Sequence, residues 1–464
     1  MKIKKFFNNV LVFFTGNVLS KLVALFLLPL YTSRLIPEQY GTYDLVVSIV
    51  YLIAPLAFVQ IWDGMFRFSF DHNDNSGKYK TINNTLIVLI IGSVSYSVLF
   101  LFIAQFFNPE YIVYALLYGF AYVLQYVYSF AARVFDKNKL FSVTGIVNAL
   151  VSAISNIILI LVFNWDVKSL YVSQIIGVLV QVVIIELKLK VIKNIKIKDF
   201  DKSLIKQMVK FSIPLCVSTM SYWLLNSFTK IIINVKFGSY FNGLYLVVNR
   251  FSSVLVILTT VFQYALSAST FGITDSNEKQ RVFSISIDIM IKSAIFISLM
   301  LCFMLKLIFP YFIDEQYWEA VELIPSTIIG AGISSASGLL NSFYMAEKNT
   351  MVIFITTFIS AILNCIFGWI LAPYIGTNGV LIVLACSFAL LMVLRLIHLY
   401  VKIKIKFEFM NLLLLPIIAI SVILFYKLDN VLLILFTFIL LILYALSLLK
   451  YLKTFIKNKV KKNV

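Results

Sequence analysis

Residues 10–30 read VLVFFTGNVLSKLVALFLLPL, and Lys21 is the one charged residue among them. A helix of about 20 apolar residues is long enough to cross the hydrocarbon core of a bilayer. A cleavable signal peptide has a shorter apolar core, and small residues at a cleavage site follow it. Neither property is found here. We therefore expect this stretch to be a first transmembrane helix that is retained.

The rest of the sequence has the same character. Of its 464 residues, 61% are hydrophobic and 13% are charged, and the mean hydropathy is +0.96. About a quarter of the residues of a soluble domain are charged, so this composition excludes that class. The four cysteines stand singly, without a C-x-x-C pair or a histidine cluster. We expect neither a metal site nor a disulfide.

Apolar stretches that are long enough to span a bilayer recur along the whole chain. The sequence therefore predicts an all-α polytopic membrane protein with about 14 transmembrane helices. The predicted spans are 10–33, 42–66, 84–108, 111–135, 141–163, 168–190, 207–234, 241–266, 282–309, 320–344, 350–372, 378–401, 409–426 and 430–449.

Lysine and arginine residues test this topology because cytoplasmic loops of membrane proteins are enriched in them. With the amino terminus inside, the cytoplasmic segments contain 29 of the 39 Lys and Arg residues. The outer segments contain 5, and 5 lie within spans. We therefore expect both termini in the cytoplasm. Topology also explains most of the net charge of +18, so that charge does not indicate a nucleic-acid partner.

Short sequence matches in the same order indicate two six-helix halves. Residues 41–46 open the second span as 243–248 open the eighth, and 136–138 precede the fifth span as 347–349 precede the eleventh. Six helices per half give both halves the same orientation, with a substrate site expected between them. The predicted division is an N-terminal lobe 1–193, a basic cytoplasmic linker 194–206, a C-terminal lobe 207–404, and two additional helices with a basic tail, 405–464.

Polar and charged residues within spans are the candidate site residues, because a charge at mid-span costs about 2.5–3.5 kcal/mol on insertion scales. Lys21 shares a helix face with Asn17, and two roles fit it: lining a wet cavity or bonding to a neighbouring helix. Tyr222, Asn226 and Lys230 follow one another at intervals of four in the seventh span. Lys230 lies near the outer end, where snorkelling to the surface is the alternative.

Further charges lie in other spans. Arg250 is well inside the eighth span, and its guanidinium suits bidentate binding of a diphosphate. Asp288 and Lys292 are an i, i+4 pair, for which a structural ion pair and a gating or proton-coupling role both fit. Asp63 and Arg67 at the end of the second span allow the same two interpretations.

Two residue types near these charges are interpreted more simply. Arg395 lies close to the inner end of the twelfth span, and we expect it to snorkel toward the cytoplasmic surface. The 25 tyrosines are expected to be mostly lipid-facing or interfacial, with some placed to stack on sugar rings.

Several stretches carry a family resemblance: GNVLSK (16–21), LPLY (28–31), LIPEQYGTY (35–43), GMFRF (64–68) and GLY (243–245). They resemble the polysaccharide (O-antigen type) flippase family of the multidrug/oligosaccharidyl-lipid/polysaccharide exporter superfamily. The resemblance extends over the first twelve spans as a pattern.

The resemblance implies a flippase in the bacterial inner membrane, surrounded by membrane lipids. Its substrate would be an undecaprenyl-diphosphate-linked oligosaccharide, moved to the outer leaflet by alternating access for O-antigen lipopolysaccharide, capsule or exopolysaccharide. Lys21, Arg250 and Lys230 would compensate the diphosphate. A polysaccharide polymerase and chain-length proteins are the implied partners. No cofactor is implied; an H+ or Na+ gradient would drive transport, with Asp288 as the candidate carrier.

Other functions stay open. A multidrug exporter of the same superfamily would have twelve spans and acidic cavity residues, and a lipid II flippase is poorly separated by sequence. A membrane polysaccharide polymerase or glycosyltransferase needs a large external loop or a soluble catalytic domain. Since neither is evident, we expect that the chain is not an enzyme. A passive structural subunit would tolerate loss of charge at Lys21 and Arg250.

Overall fold

The computed structural model describes residues 23–460 apart from 73, 108–109, 197–198, 271–275, 347–348, 406–413 and 429; the predicted site residues Asn17 and Lys21 lie outside them. Within these residues the chain forms helices and no β-strand. Ten of the helices are long and apolar enough to cross a membrane. The predicted all-α polytopic fold is therefore confirmed.

Fifteen α-helices are described. In chain order they are α1 (Leu28–Arg34), α2 (Pro37–Ala57), α3 (Ile61–Ser69), α4 (Asn75–Phe107), α5 (Ile112–Val134), α6 (Asn138–Leu161), α7 (Lys168–Leu189), α8 (Lys202–Phe237), α9 (Ser239–Thr270), α10 (Ser276–Phe312), α11 (Ile324–Leu339), α12 (Asn341–Ala346), α13 (Thr350–Ile403), α14 (Leu414–Lys427) and α15 (Val431–Val460). Two 3₁₀ segments, Ile192–Asn194 and Glu315–Leu323, join them.

Each predicted span after the first coincides with one or more of these helices, and two departures are informative. The second span is divided, because α2 ends at Ala57 and α3 begins at Ile61. Helix α13 covers the eleventh and twelfth spans together, and Gly376 separates them with a φ of +67° and a ψ of −176°. Glycine has no Cβ, so it adopts this non-helical backbone at little steric cost.

The chain divides into two compact units, Met1–Gly243 and Leu244–Val464. This boundary lies near the start of α9, whereas the predicted linker, 194–206, includes the start of α8. Helix α8 joins the first unit because it packs against α2, α3 and α4. The arrangement of two six-helix repeats stays a prediction.

Close backbone contacts allow α2 and α3 to pack against the α8–α9 region within the first unit. A Cβ on Gly41 would lie 2.0 Å from the carbonyl oxygen of Ser239, and one on Gly64 would lie 2.9 Å from the carbonyl oxygen of Met208. Small residues that let backbones approach are the usual means of packing helices in a membrane, where lipid is as apolar as the side chains.

The second unit has its own apolar core. Side chains of α10, α11, α12 and α13 pack together there, and Phe283, Ile287, Phe343 and Leu399 are fully buried. Helices α14 and α15 pack against each other and against α10.

Candidate functional site

Aromatic residues recur at every fourth position of α5: Tyr114, Tyr118, Tyr122, Tyr126 and Phe130. Residues four apart lie one above the other on a helix, so these rings follow one slowly turning stripe. Helices α2 and α3 pack alongside α5 in the first unit. We call the contact region the aromatic seam. It is formed by Tyr51, Trp62 and Phe66 of α2–α3 and by Tyr118, Tyr122, Tyr126 and Phe130 of α5.

Along the seam, rings of α2–α3 lie beside rings of α5, and rings of α5 also contact one another. The hydroxyl oxygens of Tyr51 and Tyr118 are 2.7 Å apart. Ring centroids are separated by 5.0 Å for Tyr51 and Tyr122, 4.8 Å for Tyr122 and Tyr126, and 5.2 Å for Trp62 and Tyr126. These separations lie within the favourable range for aromatic pairs, about 4.5–7 Å.

One end of the seam is closed by a cation. The rings of Phe66 and Phe130 are 5.3 Å apart, and the guanidinium carbon of Arg133 lies 4.5 Å from the Phe66 ring centre and 5.3 Å from that of Phe130. An arginine over ring faces is held by cation–π attraction. In the predicted topology this end is cytoplasmic.

The seam is partly accessible, although Tyr118 is buried. The side chain of Tyr51 is 40% exposed, whereas Trp62 is buried. Tyr122, Tyr126 and Phe66 are half-buried. The exposed parts of these rings can therefore contact a ligand while their buried parts stay packed in the protein.

The backbone break between α2 and α3 lies beside the seam. Val59 and Gln60 have φ angles of +52° and +48°, in the left-handed region. Such a conformation costs about 1–3 kcal/mol per non-glycine residue and is unusual for a β-branched side chain. Pro55 inside α2 provides no backbone N–H, and its own carbonyl accepts from the Gln60 N–H at 2.8 Å.

The break positions a carboxylate and an amide. The Gln60 side-chain Nε2 donates to Asp63 Oδ2 at 2.5 Å, and Asp63 is half-buried. The other amide atom, Gln60 Oε1, is buried and has no hydrogen-bond partner in the described part of the chain. Asp63 and Phe66 are three residues apart on α3, so the carboxylate and one ring of the seam are neighbours on the helix surface.

Of the two interpretations given for Asp63 and Arg67, the ion pair is not found among the described residues. Arg67 Nη1 instead contacts Asp71 Oδ1 at 2.7 Å, one turn further along, and both of these side chains are about half exposed. The interaction with Asp71 lets the guanidinium stay in a polar environment, while Gln60 is the hydrogen-bond donor to Asp63. A gating or coupling role for either residue stays a prediction.

A second polar cluster joins α2 to α8. Lys230 Nζ lies 2.8 Å from Asp44 Oδ2 and donates to Ser48 Oγ at 3.1 Å. The Trp223 indole N–H donates to the Ser48 backbone carbonyl at 2.6 Å. The side chains of Lys230 and Asp44 are only 12% and 8% exposed. The ammonium group of Lys230 is therefore neutralised within the protein.

The other two members of that predicted face lie in different surroundings. Tyr222 and Asn226 are exposed, and Asn226 Nδ2 donates to the Tyr222 backbone carbonyl at 2.8 Å. The spacing of four places the three residues in line, and Lys230 is directed against α2. A substrate-binding role for the three residues stays a prediction.

Asp288 and Lys292 form the ion pair that was one of the two interpretations given for the ninth span. Lys292 Nζ donates to Asp288 Oδ2 at 2.6 Å, and each side chain is 1% exposed. Arg250 is half-buried on α9 and belongs to the second unit. The coupling role of Asp288 and the diphosphate-binding role of Arg250 stay predictions.

The expectation that Arg395 snorkels is wrong, because its side chain is completely buried. Its guanidinium donates to the Ser337 carbonyl at 2.8 Å, to Thr357 Oγ1 at 2.9 Å and to Thr356 Oγ1 at 3.2 Å. These neutral oxygens lie on α11 and on the first half of α13, so Arg395 fastens three segments of the second unit together.

Neutral polar groups line a cavity of about 370 Å³ in the first unit. Asn148 Nδ2 donates to Gln181 Oε1 at 2.8 Å, Gln181 Nε2 donates to Ser129 Oγ at 3.0 Å, and Ser152 Oγ donates to Asn148 Oδ1 at 3.1 Å. Val23, the first described residue, also lines this cavity. Amides and hydroxyls of this kind suit neutral polar ligands or water.

Sequence reasoning missed two parts of this arrangement. Asp44 was used only as part of a repeat marker, although a carboxylate within an apolar span is itself a signal. The four-residue period of rings on α5 was also visible in the sequence. The helix that faces those rings was not, because periodicity identifies a stripe and not its neighbour.

Comparisons with known proteins agree with the fold. The family described as "Polysaccharide biosynthesis protein" matches residues 6–271. A search of the curated proteins finds no match. An inward-facing multidrug resistance MATE family transporter of the MOP superfamily has a TM-score of 0.68 and 14% identity, over 84% of this chain and 94% of that one. The lipid II flippase MurJ in an inward closed conformation has a TM-score of 0.68 and 13% identity, over 98% of this chain and 100% of that one.

Proposed function

Since this chain belongs to the polysaccharide biosynthesis protein family, we propose that it is a flippase for undecaprenyl-diphosphate-linked oligosaccharide repeat units. Family and fold establish the coarser statement, which is a multi-pass membrane transporter of the flippase and exporter type. The more specific part of the proposal is the substrate, a lipid-linked glycan. It supplies surface polysaccharide synthesis such as that of O-antigen, capsule or exopolysaccharide.

The proposal has further parts that belong with this substrate. The protein lies in the bacterial inner membrane with both termini in the cytoplasm, and it works by alternating access without catalysing a reaction. An H+ or Na+ gradient drives it, with Asp288 as the candidate carrier. A polysaccharide polymerase and chain-length proteins receive the exported units.

The aromatic seam with its adjacent Asp63 and Gln60 is the observation that carries the proposal. A pyranose ring has an apolar face of C–H groups and a rim of hydroxyls. Partly exposed aromatic rings can stack against the C–H face of the sugar. A carboxylate beside an amide can accept hydrogen bonds from the hydroxyls of the rim. A purely lipid-exposed surface would not carry Asp63, because an ionised carboxylate in hydrocarbon is costly. The seam therefore has the chemistry of a wet, sugar-compatible surface.

Cations within the spans belong to the same proposal. Lys21 and Arg250 are the residues that we assign to the diphosphate. We expect Lys21→Ala or Arg250→Ala, at normal membrane levels, to stop export and to leave lipid-linked repeat units on the cytoplasmic side. Surface polysaccharide and accumulated lipid-linked glycan are the two measurements. Normal export from both variants would remove these residues from the site.

Reconstituted transport tests the substrate directly. Purified protein in proteoliposomes is offered three probes: an undecaprenyl-diphosphate-linked oligosaccharide, lipid II, and a lipophilic cationic dye. Protection from a membrane-impermeant enzyme or quencher measures how much of each probe has moved. Protein-free vesicles correct for spontaneous movement, and H+ and Na+ gradients are imposed in turn.

Movement of the oligosaccharide lipid in clear preference to the other two probes is the expected result. Preferential movement of lipid II would replace the proposal with a peptidoglycan-precursor flippase. Movement of the dye alone would assign the chain to multidrug export.

A further inference from the structure

The break between α2 and α3 combines three features that the fold does not require together. The first is the left-handed backbone at Val59 and Gln60, where an unbroken helix would satisfy more hydrogen bonds. Neither residue is a glycine, so the conformation is strained. Backbone strain of this kind persists where surrounding structure fixes it, and it is concentrated at functional sites.

The second feature is a pair of neighbouring hydrogen-bond acceptors, one of which lacks a donor. Asp63 receives the Gln60 amide on Oδ2, and no described residue forms a salt bridge with it. Gln60 Oε1 is buried and lacks a donor in the described part of the first unit. Buried acceptors in folded proteins are nearly always satisfied, by protein, water or ligand. This pair is therefore poised for a ligand that brings O–H donors.

The third feature is the aromatic platform beside the acceptors. Trp62, next to Asp63 in the chain, has its ring 5.2 Å from that of Tyr126, and Tyr126 is 4.8 Å from Tyr122. The residue that carries the carboxylate therefore lies next to a ring of the seam.

A cation alone does not account for this combination. Two oxygens from Asp63 and Gln60 are too few to enclose a metal ion, and at least three carboxylate, imidazole or thiol ligands are not found together in the described residues. Aromatic faces also add nothing to the binding of a small inorganic cation by oxygens. A pyranose uses both parts, because its C–H face covers a ring while its hydroxyls donate to the acceptors.

We propose that the α2–α3 break is a monosaccharide subsite in which Asp63 and Gln60 select one sugar of the substrate by its hydroxyls, against the rings of Tyr122 and Tyr126. This inference rests on the proposed function and adds a specificity determinant to it. Recognition of a hydroxyl by a charged acceptor discriminates strongly, because the acceptor is left unpaired when the hydroxyl is missing or inverted.

Binding measurements on the full-length detergent-solubilised protein test the subsite. The probes are short-chain prenyl diphosphate, the same lipid carrying N-acetylglucosamine, and its galactose-configured epimer. Calorimetry measures binding. Because the chain has five tryptophans, intrinsic fluorescence is compared with that of a Trp62→Phe variant to isolate the signal of Trp62. The variants are Asp63→Asn, Gln60→Ala and the conservative Asp63→Glu.

Asp71→Asn is the matched control, because it makes the same carboxylate-to-amide change on the exposed side chain that pairs with Arg67, away from the rings. Size-exclusion profiles and thermal unfolding confirm that each variant is folded. Val59→Gly, which relieves the strained φ, tests whether the backbone itself matters.

The wild-type protein should bind one sugar-bearing lipid at least about tenfold more tightly than bare prenyl diphosphate, the ratio expected for one charge-assisted hydrogen bond. Asp63→Asn and Gln60→Ala should lose that preference and keep the affinity for bare prenyl diphosphate, while Asp71→Asn changes neither. An unchanged sugar preference in both site variants overturns the subsite, even when the same variants stop ion-driven transport. A wild-type protein that binds none of the three lipids overturns the proposed function instead.

Discussion

The ion pair between Lys230 and Asp44 makes a quantitative prediction about stability. Both side chains are about nine-tenths buried, and they join α2 to α8 at an Nζ–Oδ2 distance of 2.8 Å. Removing one partner of a buried pair leaves the other charge uncompensated, which costs about 3–5 kcal/mol. Lys230→Met and Asp44→Leu should each lower the free energy of unfolding by this amount.

The double variant distinguishes an ion pair from ordinary packing. Replacing both charges by apolar side chains of similar size is often neutral or stabilising, so the double variant should unfold close to the wild type. Two single costs that do not add reveal the coupling between the residues. Unfolding is followed by denaturing-detergent titration in mixed micelles, with circular dichroism as the readout. Lys210→Met, an exposed lysine on the same helix, is the control and should change little.

Additive costs in the double variant would refute the reasoning, because they would show that the two charges do not stabilise each other. Single costs below about 1 kcal/mol, the level of exposed ion pairs, would refute it as well, since water would then be screening the pair.

Three further predictions follow from other contacts. Arg395→Ala should destabilise the protein by about 3–5 kcal/mol in the same titration, because it leaves a void and unpaired oxygens. Arg395→Lys should restore only part of the lost free energy of unfolding, since lysine cannot reproduce the forked donors of a guanidinium. Gly41→Ala should cost about 1–3 kcal/mol because its Cβ meets a backbone carbonyl, whereas Gly145→Ala, where a Cβ meets nothing within 4 Å, should be neutral or stabilising. Bonds from Lys80 and two backbone amides lower the pKa of Asp201, which lies in the predicted cytoplasmic linker. Ionised Asp201 therefore stabilises the folded state above the ordinary aspartate pKa of about 3.9, and this contribution is lost as pH falls through the lowered pKa. The Tm difference between wild type and Asp201→Asn should consequently shrink below about pH 4.

Hydropathy predicted the helices well because span length and apolar content depend on the chain alone. Prolines account for two features of α2 in the structure. Pro37 is at the start of this helix, and Pro55 precedes the division between α2 and α3. The pair of Asp288 and Lys292 was also predictable, since both residues lie on one helix at a fixed spacing. Such local relations need no knowledge of the neighbouring helices.

Relations between helices were beyond the sequence. Ser48 and Lys230 are 182 positions apart, and no local pattern indicates that they meet. For Arg395, hydropathy locates the residue near the end of a span but does not show which way its side chain points. The oxygens of Ser337 and Thr357 lie close enough to satisfy it in place, so it has no need to reach the membrane surface.

The partners of these cations change what a charge within a span indicates. Lys230 is neutralised by Asp44, Lys292 by Asp288, and Arg395 is surrounded by neutral oxygens. In these three cases the cation has partners within the protein, so its presence alone does not indicate an anionic substrate. An anion that engages Lys230 has to displace the Asp44 carboxylate, and it must therefore compensate a buried carboxylate as well as bind an ammonium group. At the α2–α3 break, by contrast, Gln60 Oε1 has no donor among the described residues, so a ligand hydroxyl that binds it displaces no protein group. This difference supports the proposed contact with a glycan.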